Sequence, residues 1–95
     1  LFDLNIRMRV ESDRDFPELR KQFNVWRKRF PMFIHDVTKI ERIVEEHIKQ
    51  YSQVLIQYRQ THSKRHLEKA QEEIAAINRV ISTVEKIELM AMLSQ

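Results

Sequence analysis

Apolar and polar residues alternate strictly from Phe2 to Val10 (FDLNIRMRV). Phe2, Leu4, Ile6, Met8 and Val10 fall on one side, and Asp3, Asn5, Arg7 and Arg9 on the other. This is the two-residue period of a half-buried strand, and it predicts an extended arm over residues 1–11. A lone strand leaves its backbone N–H and C=O groups without partners, and no later stretch repeats the alternation. The arm is therefore expected to pair with a second copy of the chain; a strand from another protein, or a non-strand conformation, are the alternatives.

The period then lengthens. Phe16, Leu19, Phe23, Trp26 and Phe30 recur at steps of three and four, the spacing of one face of a helix. Asp15 with Glu18 three residues on reads as a capping box, with Pro17 in the first turn where its missing N–H costs nothing. Pro31 disfavours helical geometry at Phe30, so the first helix is predicted over residues 15–30. Phe33, Val37, Ile40, Val44, His47, Tyr51, Val54 and Tyr58 keep a four-three spacing, and the second helix is predicted over 32–59. The polar stretch RQTHSKRH (59–66) interrupts it, with Thr61 or Ser63 placed to cap the next helix. Leu67, Ala70, Ile74, Ile77, Ile81 and Val84 resume the pattern, giving a third helix over 64–93.

Helices two and three, joined by a short turn, form an antiparallel hairpin about 40 Å long, whereas the first helix reaches only about 21 Å. It is expected to cover the open half of the hairpin and no more. The distal half is left as a two-helix ribbon with an apolar face, which few soluble monomers tolerate. A dimer interface is accordingly expected at His47, Ile48, Tyr51, Leu55, Tyr58, Leu67, Ile74 and Ile77. Residues 1–95 thus read as one mainly all-α domain: an N-terminal extended strand, one short helix and a long antiparallel hairpin, assembling as a dimeric helical bundle.

Composition supports this reading. Glycine is absent, which argues against a turn-rich β fold. Cysteine is absent as well, which removes disulfides, thiolate metal sites and cysteine nucleophiles. No apolar run approaches the roughly 18 residues of a membrane span, and a cytoplasmic setting is the default expectation.

The net charge of +3 is uneven. Residues 1–31 hold eight basic and five acidic residues, and the remainder nine of each. Arg20, Lys21, Arg27 and Lys28 line one flank of the first helix, with Glu41 and Glu45 of the next helix the nearest expected acids. Together with Arg7 and Arg9 they form a candidate anion or nucleic-acid contact. A paired strand ahead of the helices would place Asp3, Asn5, Arg7 and Arg9 towards a major groove. Phe23, Trp26 and Phe30 share the apolar face, so they are not offered as stacking platforms for bases.

Catalytic chemistry has little support. There is no phosphate-cradling glycine loop and no nucleophile motif. Glu45-Glu46-His47 has the wrong spacing for a Glu-x-x-His metal motif. His62 and His66 stand four apart but straddle the expected turn, where a solvated polar tip is the simpler reading. No enzyme, cofactor or metal is expected. The reading favoured is a homo-oligomeric helical interaction module, of the adaptor, chaperone-like, regulatory or assembly type, with an unidentified protein partner. A basic dimeric nucleic-acid-binding protein is the alternative.

Overall fold

The computed structural model describes residue 10 and residues 13–93 of the chain, and all regular structure among these is helical. A 3-10 turn over Asp13–Asp15 leads into α1 (Phe16–Arg29). A second 3-10 turn over Pro31–Phe33 leads into α2 (Ile34–Thr61), and α3 spans Lys64–Leu93. The body measures 52 × 22 × 17 Å, long in the direction of the α2/α3 hairpin.

The first helix starts differently from expectation. Asp15 already has right-handed helical backbone angles and makes no side-chain capping bond. The 3-10 turn before it continues the coil, so the capping box is not formed. At the other end Pro31 acts as expected. Phe30 leaves helical geometry (φ −125°, ψ 67°), and its N–H donates to the Trp26 carbonyl at 2.8 Å. The Phe33 N–H donates to the Phe30 carbonyl at 2.9 Å. This tight corner folds α1 back along α2.

The hairpin turn is shorter than the polar stretch implied. Only His62 and Ser63 separate α2 from α3. With no glycine available, His62 takes the left-handed conformation (φ 53°), a region in which histidine is over-represented among non-glycine residues. Its N–H closes the end of α2 on the Tyr58 carbonyl at 2.7 Å. The Ser63 carbonyl then accepts the N–H groups of His66 and Leu67 at 3.1 and 3.2 Å, which opens α3. The Thr61 hydroxyl donates to the Gln57 carbonyl at 2.9 Å and accepts the Ser63 N–H at 3.3 Å. Both residues expected at the cap therefore serve the turn, Ser63 through its backbone and Thr61 through its side chain.

The aromatic stripe of α1 fills the groove between α2 and α3. Leu19, Phe23 and Trp26 are fully enclosed, together with Val37, Val44, Ile77, Ile81 and Val84. The Phe23 and Trp26 rings meet edge to face at 5.2 Å. Burial on this scale contributes roughly 1.5–3 kcal/mol for each large side chain. The Trp26 indole donates to the Glu88 carboxylate at 2.9 Å, both groups being buried.

The stripe reaches further than its length suggested. Phe16 stacks edge-on against Tyr51 at 5.5 Å, so α1 covers α2 from its start as far as Tyr51. Ile48, Tyr51 and Ile77, expected on an open ribbon, are buried within the single chain.

The strand expected over 1–11 lies outside the described residues, Val10 excepted. Val10 is enclosed (1% exposed), and its backbone is held by one side chain from far along the chain. The Val10 N–H donates to Asn78 Oδ1 at 2.8 Å, and Asn78 Nδ2 donates to the Val10 carbonyl at 3.0 Å. The two-sided amide of Asn78 thus does at one residue what a neighbouring strand would do.

Asn78→Ala removes both bonds and is expected to cost roughly 1–3 kcal/mol in urea denaturation. Native-state hydrogen exchange at the Val10 amide should accelerate with it. Unchanged exchange at that amide would show that the clamp does not hold in solution.

Candidate interaction surfaces

Two surfaces emerge where the sequence placed functional residues: an apolar depression on the distal hairpin and a charged flank along α1 and α2.

Beyond the N-terminus of α1 nothing described covers the hairpin groove on that side. Tyr51, Leu55, Leu67, Ala70, Gln71 and Ile74 line an open depression of about 260 Å³ there. Tyr51 and Ala70 form its buried floor, Leu55 and Ile74 are half-buried walls, and Leu67 is exposed at the rim. Of the eight expected interface residues, Tyr51, Leu55, Leu67 and Ile74 meet at this place. Ile48 and Ile77 belong to the chain's own core. Tyr58 is half-buried near the tip, with its ring edge-on to His62 at 6.0 Å.

His47 serves α2/α3 contact: its Nδ1 lies 2.7 Å from Glu73 Oε2, a cross-helix pair with both side chains mostly buried. Glu73 is a partner that seam spacing alone does not reveal, since its position reads as an ordinary polar site on α3. At the tip, His66 Nδ1 lies 3.0 Å from the Thr61 hydroxyl. Among the described residues no group of three or more metal-ligating side chains comes together. No helix among them is long and apolar enough to cross a membrane.

Burial pushes the Tyr51 hydroxyl above its ordinary range, Asp13 adding to the rise and Arg59 opposing it. Burial thus disfavours a tyrosinate charge on the floor of the depression. A proton held more tightly in the folded chain stabilises it below the unfolded tyrosine value of about 10. That contribution is lost as pH rises through the higher folded value.

The charged flank is organised by two rungs. Arg20 donates to both oxygens of Glu45, at 2.7 and 3.1 Å. Arg27 does the same to Glu41, at 2.8 and 3.3 Å, and also contacts Asn24. The bond to Glu45 holds the Arg20 guanidinium yet more firmly in its charged form. Lys21 reaches Glu18 at 3.4 Å and remains well exposed. Lys28 is exposed. Half of the expected stripe thus zips α1 to α2, and the other half faces solvent. Arg7 and Arg9 lie outside the described residues.

Compared with known proteins, the chain matches no family model, no curated protein and no solved structure.

Double-mutant cycles should separate the two rungs. Arg27–Glu41, with side chains 22% and 23% exposed, should couple by about 1 kcal/mol, and the more open Arg20–Glu45 by about half of that. Equal couplings would mean that burial does not set their strength. Tyr51→Phe should flatten the fall in stability above about pH 10, measured by urea midpoints across alkaline pH; an unchanged fall would show that Tyr51 does not cause it.

Proposed function

We propose that the chain is a non-enzymatic helical interaction module that self-associates through the distal half of the α2/α3 hairpin. In this reading it works as an adaptor, a chaperone-like subunit or a regulatory or assembly piece. The observation that carries the reading is the open depression between Leu55, Leu67 and Ile74 beyond the reach of α1. Two helices alone do not close a core, and here α1 supplies the third wall only as far as Tyr51. A second copy laid across the same place would complete a four-helix layer at the distal end. Each copy would supply Leu67 and Leu55 to the other's depression, an isologous contact in which one patch serves both partners.

The interface is correspondingly smaller than the eight residues expected from sequence. It rests on Leu55, Leu67 and Ile74, with Tyr51 and Tyr58 beside them. A compact contact of this kind suits a reversible dimer.

Light-scattering mass on the purified chain is expected to give a dimer that persists at high salt, because the contact is apolar. Leu55→Asp and Leu67→Asp should each give a folded monomer, while Ile77→Asp should unfold the chain because Ile77 is completely enclosed. A wild-type monomer at high micromolar concentration, or a dimer indifferent to both leucine changes, would overturn the reading.

A further inference from the structure

The charged flank is wider than α1. In register, the rungs Arg20–Glu45 and Arg27–Glu41 form a seam, and the residues on its solvent side are cationic on both helices. On α1 these are Lys21 and Lys28; on α2 they are Arg42 and Lys49. Each pair is seven residues apart, about 10 Å along its helix. All four are exposed, and among the described residues only Lys21 of the four has a carboxylate partner, the long contact to Glu18. The two glutamates inside the seam are already occupied by arginines. Glu46, exposed beside Arg42 and Lys49 on α2, is the acid that tempers the row. Towards the base of α2 the row runs into an open depression of about 450 Å³ lined by Ile34, His35, Thr38, Lys39 and Arg42.

We propose that this two-helix face, with Lys21 and Lys28 on α1 and Lys39, Arg42 and Lys49 on α2, is a docking surface for the phosphate backbone of duplex DNA. Charge complementarity selects a polyanion. A duplex presents one negative charge per about 1.7 Å of axis, and cations held on a rigid surface exchange with its condensed counterions without reading sequence. The rungs supply that rigidity, since they hold the two rows at a constant separation. Single strands are disfavoured because they need exposed rings for stacking, and Phe23, Trp26 and Phe30 are buried. A lipid surface is disfavoured because the apolar side chains exposed around these cations, Val25 on α1 and Ile34, Ile43 and Ile56 on α2, stand singly and form no continuous apolar face to insert into a bilayer. This face lies apart from the distal groove proposed for self-association, so the two contacts are independent of each other.

The test is fluorescence anisotropy of a labelled duplex of about 20 base pairs titrated with the full chain, with affinity expected to fall on the order of 10²-fold between about 50 and about 200 mM salt if about four of the five cations each neutralise one phosphate. Lys28→Glu/Lys49→Glu should abolish binding at the lower salt. Lys69→Glu/Lys86→Glu changes net charge equally but lies on α3, outside this face, and should retain most of the affinity. Circular dichroism of both variants checks that the fold survives, as expected for exposed positions. Four results would overturn the proposal: no binding by the wild type at low salt, equal losses in the two variants, tighter binding to a single strand of equal length, or tighter binding to phosphatidylserine vesicles.

Discussion

Two helices cannot enclose a core, so something must fill the groove between α2 and α3. The aromatic stripe of α1 does this over the lower and middle part of the hairpin. Leu19, Phe23 and Trp26 are sealed there, and the seal determines the other features. The corner at Phe30–Phe33 must be tight for the stripe to fold back. Once it has folded back, Arg20 and Arg27 stand opposite Glu45 and Glu41 and pair with them. Where the stripe ends, at Phe16 on Tyr51, the groove opens and the apolar depression begins.

The helices were readable from periodicity because amphipathic spacing is a local property. α3 falls at the expected residues, and α1 and α2 begin and end within about two positions of expectation. The nearness of Glu41 and Glu45 to the basic flank was also legible, because adjacent helices pack antiparallel here. How far α1 reaches was not. That depends on the register imposed by a corner only a few residues long, and one turn of difference moves Ile48 and Tyr51 from open ribbon to closed core. Asp15 shows a different limit. Its sequence context suits a cap, yet a preceding 3-10 turn already continues the backbone into the helix.

The least legible features are the buried polar ones. Glu88 sits in an apolar run, and its burial beside the Trp26 indole comes from three-dimensional neighbours that spacing does not identify. Asn78 occupies an ordinary polar position on α3, with nothing in its surroundings in sequence to mark it as a backbone partner. His47 and Glu73 form a similar case, a polar pair inside a seam of branched side chains. Such groups cost free energy to bury unless each finds a partner. A satisfied pair therefore favours one alignment of the helices over slipped ones in a way that Val, Ile and Leu alone do not.

The Asn78 clamp also bears on the order in which the chain assembles. The α2/α3 hairpin closes through a two-residue turn, so its contacts near the tip form between residues close in sequence. The bond to Val10 joins positions 68 residues apart. Loop-closure entropy rises only slowly with the length enclosed, and the Trp26–Glu88 bond already spans 62 residues. The clamp is therefore most naturally formed once α1 has docked and brought Val10 beside α3. Contacts that form after the rate-limiting step leave the folding rate largely alone and slow unfolding instead. Asn78 is then less a guide to the fold than a bolt drawn across it, setting how long the finished structure lasts.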